Sequence, residues 1–297
     1  MNADLELYRT FQAVARQGSI SRAAQELCVT QPAVSQAVKA LEQALGAQLF
    51  VRGAKGVTLT AEGEMLRDYV DKAMGLIDAA QRQFAGLREL ESGLLRIGAS
   101  DTLCKYYLLG TLEEFHRRYP RVKLQVTNRT SRETVELLRA GMVDLGFINL
   151  PMEIKGDLEV REMQAIQDCF VVSPRHFPLP DRPLTPAQLL EGYPLLMLEG
   201  QSASRRYLDG WLEANGVTPM PEIQLGSLDL LVEFAKIGLG AAALTRSCAA
   251  AELAAGTLAE LPLEPAIPPR AIGLVTHRAI PLSSAARRLI GMLSRGE

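Results

Sequence analysis

A segment between residues 31 and 43 carries amide, hydroxyl and ammonium groups at helical spacing, and such groups can read DNA. A Gln side chain can bond the edge of adenine in the major groove, and Ser or Lys can reach phosphate or guanine. On a helix, the polar side of this segment comprises Pro32, Gln36, Lys39 and Gln43, with Ser35 on its flank. The opposite stripe is apolar and comprises Val34, Val38, Leu41 and Leu45. We therefore expect one face to pack and the other to remain exposed.

Two short helices joined by a tight turn must position these groups. Ser19 or Ser21 can cap the first helix, and Thr30 opens the second. Pro32 then lies in the first turn, where its missing N–H costs little, and Gly46 ends the helix. Helix pairs of this kind also occur in proteins that do not bind DNA, so the shape alone leaves both interpretations open.

Residues 51–59 are predicted as two short β runs around a glycine-rich turn, which would form a wing beside the duplex. This region contributes two cations, Arg52 and Lys55, and we expect Arg52 near phosphate or in the minor groove. The helix pair and the wing together form the candidate DNA-binding surface. Its residues are Ser21, Arg22, Thr30, Gln31, Pro32, Ser35, Gln36, Lys39, Arg52 and Lys55.

The order of residues in this region resembles the winged helix-turn-helix of LysR-type transcriptional regulators. The matching positions are Ala23-Ala24, Leu27, Thr30-Gln31-Pro32-Ala33-Val34-Ser35, Leu41-Glu42, Leu45-Gly46, Leu49-Phe50, Arg52 and Leu59-Thr60-Ala61-Glu62-Gly63. The resemblance runs nearly without gaps to residue 65 and departs at Cys28, Val29 and Gly53. It implies a sequence-specific regulator of transcription whose C-terminal domain binds a small-molecule effector.

Residues 61–91 form one long helical pattern with an apolar residue at alternating steps of four and three. The stripe comprises Leu66, Val70, Ala73, Ile77, Ala80, Phe84 and Leu87. This pattern is typical of a coiled-coil seam and predicts dimerisation through this linker helix. The alternative is an amphipathic helix that lies on its own domain. The resemblance implies antiparallel pairing of linker helices in a homodimer, and further assembly into a homotetramer.

Composition favours a protein with reduced cysteine thiols and with two parts of opposite net charge. Residues 1–60 carry six cations and four anions, whereas the remaining chain carries 26 cations and 30 anions. DNA affinity is therefore expected to depend on placed contacts and dimerisation, not on a broad positive field. Cys28, Cys104, Cys169 and Cys248 show no CxxC spacing, so buried thiols are expected and a redox sensor is the alternative. Without a signal peptide or long apolar run, the predicted location is the cytoplasm, away from the membrane.

From residue 92 onward, short β-rich runs alternate with helices, which indicates α/β units with parallel strands. Two crossings of the chain would leave a cleft between lobe I (about 92–164 and 267–297) and lobe II (about 165–266). The predicted fold class is an α+β multidomain chain. It has an N-terminal winged helix-turn-helix (1–60), a long linker helix (61–91) and a C-terminal bilobed effector domain (92–297) that resembles periplasmic solute-binding proteins.

Polar residues follow several of the predicted strands, where ligands of such sheets collect. The candidate effector site comprises Ser100, Asp101, Thr102, Asn128, Thr130, Ser202, Ser204 and Ser227. Simple N-capping is the alternative for each of these residues. A small polar effector is expected, and the carboxylate of Asp101 argues against a plain dianion unless it turns away.

No pattern indicates an enzyme, a metal or a cofactor. His116, His176 and His277 lack metal-ligand spacing, and no nucleophile elbow, P-loop or paired-carboxylate motif is present. Gly238–Ala243 resembles a dinucleotide-binding motif but runs from helix to strand, the reverse of the required order. Expected partners are promoter or operator DNA, the effector, further copies of the chain and RNA polymerase. Two alternatives remain open: an effector-independent DNA-binding protein and a cytoplasmic ligand-binding protein.

Overall fold

The computed structural model describes residues 4–53, 56–88 and 93–294, with side chains except those of Arg52, Ala79 and residues 82–88. Lys55 and the side chains of Arg52, Phe84 and Leu87, all named above as candidate contacts, therefore lie outside the described part. The chain divides into two compact units, of which the first comprises Met1–Phe84 with Ala140–Met142 and the second comprises Ala85–Arg139 with Val143–Glu297. No helix in the described ranges is both long and apolar enough to cross a membrane.

The described residues of the first unit form four helices and a two-stranded antiparallel hairpin. In chain order these are α1 (Leu5–Gln17), α2 (Ile20–Glu26), α3 (Gln31–Leu45), β1 (Phe50–Gly53), β2 (Gly56–Leu59) and α4 (Ala61–Arg88). Ser19 caps α2 by accepting from Arg22 N, and Thr30 caps α3 by accepting from Ala33 N. Gly46 ends α3 in the left-handed region at φ 67°. The predicted bounds of the helix pair are confirmed.

The predicted linker seam packs largely within its own unit. Val70 is buried in the core of the helix-turn-helix, and Leu66 and Ile77 pack against that core. The Gln12 side chain on α1 also donates to Asp71 on α4 over 2.8 Å. Val70 is therefore unavailable to a dimer seam, because the helix-turn-helix offers α4 more apolar surface than we expected, whereas a dimer contact through the partly buried Leu66 and Ile77 stays a prediction. The open alternative of an amphipathic helix on its own domain describes this stretch.

The second unit contains two five-stranded mixed sheets. Lobe I has the strand order β4-β3-β5-β12-β6, and lobe II has the order β11-β7-β10-β8-β9. The strands of lobe I are β3 (Gly93–Ala99), β4 (Val122–Asn128), β5 (Leu145–Asn149), β6 (Leu158–Ile166) and β12 (Arg270–His277). The strands of lobe II are β7 (Asp168–Val172), β8 (Leu195–Leu198), β9 (Ile223–Leu225), β10 (Ala241–Thr245) and β11 (Ala259–Glu260). In lobe I the neighbouring strands β4, β3 and β5 run parallel, and β12 runs antiparallel to both β5 and β6. In lobe II the neighbouring strands β10, β8 and β9 run parallel, and β7 runs antiparallel to both β10 and β11.

Helices cover both sheets. Lobe I carries α5 (Asp101–Leu103), a π turn (Cys104–Leu108), α6 (Leu109–Arg118), α7 (Ser131–Arg139) and α12 (Ser284–Leu293). Lobe II carries α8 (Pro186–Gly192), α9 (Ala203–Ala214), α10 (Leu228–Lys236), a 3-10 turn (Arg246–Ala249) and α11 (Ala250–Ala254). The helical segment after β3 thus runs from Asp101 to Arg118 and passes through a π turn, a feature that often marks functional sites.

The chain crosses between the lobes twice. The first crossing lies between Ile166 at the end of β6 and Asp168 at the start of β7, and the second precedes Arg270. Ile166 packs in the lobe I core and Ile267 in the lobe II core, so both crossings lie a few residues beyond the expected boundaries. The Gln167 side chain donates to Ile267 O over 2.8 Å and so ties the two crossings together.

Candidate nucleic-acid interface and effector cleft

The polar face of α3 is exposed. Gln31, Pro32, Gln36 and Lys39 are all exposed, and Ser35 is half-buried on the flank. The opposite stripe is held in the core by Val34, Val38 and Leu41. Because Thr30 caps the N-terminus of the helix, its first turns are well ordered for contact with base edges, which recognition helices make with their N-terminal residues.

The first turn of α2 and the N-cap of α3 adjoin this surface. Ser21, Arg22 and Thr30 are exposed, and the Ser21 hydroxyl donates to Gln31 Oε1 over 3.2 Å. This hydrogen bond uses the amide oxygen of Gln31 and leaves its NH₂ group as a donor. Ser21 therefore orients the first side chain of α3.

The sequence reasoning missed the residue that positions the wing. Glu42 Oε1 on α3 accepts from Leu49 N over 2.8 Å and from Phe50 N over 3.3 Å, where β1 begins. Gly63 in the first turn of α4 lies so close to Leu49 O that an added Cβ would come within 2.2 Å. The wing is thus held between the ends of α3 and α4.

We predict that Glu42→Ala will loosen the wing, because two part-buried N–H groups lose a charged acceptor. The expected cost is about 1–3 kcal/mol of unfolding free energy for the first unit. Faster hydrogen exchange at the amides of Leu49 and Phe50 will report the change. Glu62→Ala, at an exposed position of α4, is the control, and equal exchange in both variants would contradict the prediction.

A cleft of about 400 Å³ lies between the two lobes of the second unit. Of the effector-site residues expected from the sequence, those that line it are Ser100, Asp101, Thr102, Asn128, Thr130, Ser202 and Ser204. Ser227 does not line it, because Gly226 occupies that part of the wall. Lining residues outside the expected set are Arg129, Ser131, Glu133, Asn149, Leu198, Glu199, Gln201, Ala203, Leu225 and Gly226. Asn149 and Glu199 end or follow strands, so the strand-end rule could have found both.

Capping and ligand-facing geometry coexist in this cleft. Ser100 Oγ accepts from Leu103 N, and Ser202 Oγ accepts from Arg205 N over 3.0 Å. Asp101 Oδ1 turns back and accepts from Thr102 N over 2.8 Å. Ser100 and Ser202 therefore act as N-caps, as the alternative interpretation expected. Both residues nevertheless line the same cleft.

Glu133 is also engaged within lobe I. Its Oε2 accepts from Thr130 Oγ1 over 2.7 Å and from Thr130 N over 2.9 Å. These bonds, followed by the charge of Arg129, hold the pKa of Glu133 below its usual value. Glu133 therefore stays ionised in the first turn of α7, where a negative charge is favourable.

A buried arginine joins the lobes behind the cleft. Arg270 at the start of β12 pairs with Asp168 at the start of β7, and both side chains are 1% exposed. Arg270 Nη1 donates to Asn149 Oδ1 over 2.9 Å, and Nη2 donates to Ser204 Oγ over 2.9 Å and to Thr245 Oγ1 over 3.2 Å. Because Asn149 and Ser204 line the cleft from opposite lobes, Arg270 connects the cleft walls to the crossing strands.

A second contact joins the lobes at the π turn. Lys105 Nζ donates to Asp229 Oδ1 over 2.8 Å, and Tyr106 OH donates to the same oxygen. These bonds hold the pKa of Asp229 below its usual value. A carboxylate whose pKa is lowered by folding stabilises the folded state. This stabilisation is fully present above the pKa that the group has in the unfolded chain, and it is lost as the pH falls through the lower pKa of the folded state. The contact is therefore intact near neutral pH.

The cysteines of the second unit are buried to different degrees. Burial raises the pKa of the Cys248 thiol to about 12 and also raises the pKa of Cys169 and Cys104. Thiols of raised pKa hold little thiolate and react slowly with oxidants. Cys28 is exposed, and all four cysteines are free. Nor do the described residues contain a group of His, Cys, Asp and Glu side chains that could hold a metal ion.

Comparison with known proteins agrees with this architecture. Residues 5–64 match the bacterial regulatory helix-turn-helix protein family of LysR type, and residues 88–296 match the LysR substrate binding domain. A probable RuBisCO transcriptional regulator of Trichormus variabilis is 31% identical over 276 residues, which cover 91% of this chain and 82% of that relative.

Two solved structures share the fold. A full-length OxyR variant from Pseudomonas aeruginosa has a TM-score of 0.73 at 22% identity, with 99% of this chain and 94% of that chain covered. Full-length CbnR in complex with its target DNA has a TM-score of 0.68 at 20% identity, with 99% of this chain and all of that chain covered. With both of its domains matched to family models, this chain belongs to the LysR family of DNA-binding transcriptional regulators, which carry an effector-binding domain.

Proposed function

We propose that the exposed face of α3 enters the major groove of operator DNA. Gln31, Gln36 and Lys39 would contact base edges and Ser35 a phosphate, while Ser21, Arg22, Thr30 and Pro32 border the groove. Arg52 and Lys55 would contact the backbone from the wing. The observation that supports this proposal is the exposure of amide and ammonium groups on a capped helix whose other face is buried.

We infer that a different stripe of α4 forms the dimer contact. Met65 is 62% exposed and Tyr69 is 69% exposed, and Leu76 is also exposed on the same helix. Ala73 and Ala80 of the expected seam are exposed as well and extend this stripe. Apolar side chains at steps of three and four, uncovered on a long helix, suit pairing with a second copy.

We predict that Tyr69→Asp will weaken dimerisation of the full chain. A charge buried within an apolar helix pair is expected to raise the dimer dissociation constant about tenfold or more. Sedimentation velocity at falling protein concentration measures this shift. Asp68→Asn on the adjacent exposed position serves as the matched control, and an unchanged dissociation constant for Tyr69→Asp would rule this stripe out.

We further propose that a small molecule in the interlobe cleft controls DNA binding. A ligand that touches both lobes favours one closure angle, and it can shift the population only by its difference in affinity between the two states. Paired copies would transmit that angle to the spacing of the DNA-binding domains. On this proposal the protein acts in the cytoplasm, RNA polymerase is a candidate partner at the promoter, and no catalytic step is involved.

Selection from a library of random duplexes tests the DNA-binding part. The full chain is expected to enrich a motif with two half-sites that it binds at least about a thousandfold more tightly than random DNA. Footprints on that motif, taken with and without a cleft ligand, separate a regulator from an effector-independent DNA-binding protein. A library that stays random after selection would contradict the proposal and favour a ligand-binding protein instead.

A further inference from the structure

The cleft presents hydrogen-bond donors. Among its hydroxyl and amide side chains, Thr130 accepts from Glu133 N and donates its own proton to Glu133. Six others have an oxygen that already accepts from a protein N–H, and they are Ser100, Asn128, Ser131, Asn149, Ser202 and Ser204. Their remaining hydroxyl protons and amide NH₂ groups are therefore the atoms left for a ligand. Convergent donors of this kind suit a carboxylate or a similar oxyanion.

Arg270, which does not itself line the cleft, orients two of the lining side chains as donors. It donates to Asn149 Oδ1 and Ser204 Oγ, so the Asn149 NH₂ group and the Ser204 hydroxyl proton are free for other acceptors. The guanidinium itself is paired with Asp168 and does not line the cleft. Arg129, whose Nη1 donates to Asn128 O over 2.7 Å, is the one cation among the lining residues of this described cleft.

Two carboxylates of the same cleft lack a cationic partner among the described residues. Glu199 follows β8, is exposed and lies beside Gly226 on the lobe II wall. Asp101 on the lobe I wall accepts a single hydrogen bond, from Thr102 N. Glu133 is different, because Thr130 already engages it. The lining thus combines donors for an oxyanion with two carboxylates that suit a protonated amine.

We propose that the effector is a small zwitterion of the amino-acid class, with its carboxylate on the donor groups and its ammonium between Glu199 and Asp101. This inference rests on the proposed effector function of the cleft. A dicarboxylate would place one anionic end against Glu199 and Asp101, and a diamine would leave the donor groups without acceptors. Both mismatches disfavour these ligands, because like charges would face each other in the first case and polar groups would lose their partners in the second. The cleft volume of about 400 Å³ suits a ligand of this size.

A matched series of four-carbon compounds tests the class of ligand. Calorimetry of the full chain would compare 2-aminobutanoate and 4-aminobutanoate with succinate and 1,4-diaminobutane. We expect at least one of the two zwitterions to bind about tenfold more tightly than succinate and diaminobutane, because one charged hydrogen bond accounts for about that factor. Tighter binding of succinate or diaminobutane, or no binding by any of the four, would overturn the proposal.

Two variants separate the two ends of the ligand. Glu199→Gln is expected to weaken binding of the zwitterion about tenfold, because only the ammonium site is altered. The affinity for succinate should stay the same or increase. Thr102→Val removes a lining hydroxyl of nearly the same shape and is expected to weaken both compounds. Glu213→Gln, exposed on α9 outside the cleft, is the control. Equal losses of zwitterion and succinate in Glu199→Gln would contradict the placement of the amine.

Selection of a duplex motif by the same preparation distinguishes this inference from the proposed function. Specific DNA binding without a preference for zwitterions would refute the ligand class and leave the regulator intact. A zwitterion preference without a selected DNA motif would refute the DNA contacts instead.

Discussion

Replacing Gln31, Gln36 and Lys39 by alanine together will remove sequence preference while most non-specific DNA affinity remains. Each side-chain contact to a base edge contributes about 1–3 kcal/mol of discrimination, so the triple variant is expected to lose at least about a hundredfold in specific affinity. Non-specific binding depends mainly on phosphate contacts and loses only the charge of Lys39. Competition anisotropy, with the selected duplex against random duplex at fixed salt, measures both quantities.

Gln43→Ala is the matched control for this triple variant. Gln43 is exposed on the same face of α3 but lies near its C-terminal end, whereas base contacts are made from the N-terminal turns. The affinity of the Gln43→Ala variant for the selected duplex should stay within about threefold of that of the parent protein, since the effect of a surface substitution rarely exceeds about 0.5 kcal/mol. An equal loss in Gln43→Ala and the triple variant would show that the helix does not enter the groove as proposed.

The second large effect is expected at the buried pair between the lobes. Arg270→Met leaves the Asp168 carboxylate buried without its partner and removes donors to Asn149, Ser204 and Thr245. Loss of one member of a buried pair costs about 3–5 kcal/mol. Trp211, the single tryptophan of the chain, lies in the lobe II core, so its fluorescence during urea unfolding reports the loss.

Two further variants show whether the cost comes from the unpaired charge. Arg161→Met, on the exposed β6 strand that neighbours β12, should change stability by no more than about 0.5 kcal/mol. Combining Arg270→Met with Asp168→Asn removes the uncompensated charge and should recover part of the loss. No recovery in the double variant would show that the hydrogen bonds to the cleft walls, and not the ion pair, hold the lobes together.

Local signals were sufficient for the helix-turn-helix. Thr30, Pro32 and Gly46 act within one or two turns of their own position, so the bounds of α3 could be read before any tertiary contact was known. Seven of the eight residues proposed for the effector site do line the interlobe cleft, because polar residues at strand ends follow from the topology of parallel sheets. Ser227 failed this test, since Gly226 faces the cleft in its place.

The linker helix shows where a pattern has two physical solutions. The spacing of Leu66, Val70 and Ile77 is compatible both with pairing to a second helix and with packing on a neighbouring domain. The apolar surface of the helix-turn-helix core decided in favour of packing, which leaves Met65 and Tyr69 exposed instead. The edge strand β6 is equally hard to recognise in the sequence, because most of its side chains are exposed and no apolar alternation marks it.

By itself, the order of residues determined the elements, the exposed polar face of α3, the bilobed body and most of the cleft, because each depends on contacts a few residues apart or on the topology of a sheet. Tertiary structure alone decided which stripe of α4 is buried, that Glu42 holds the wing, and that Arg270 meets Asp168 across 102 positions of the chain. Such pairings leave no periodic trace, since their partners are brought together only when distant elements pack.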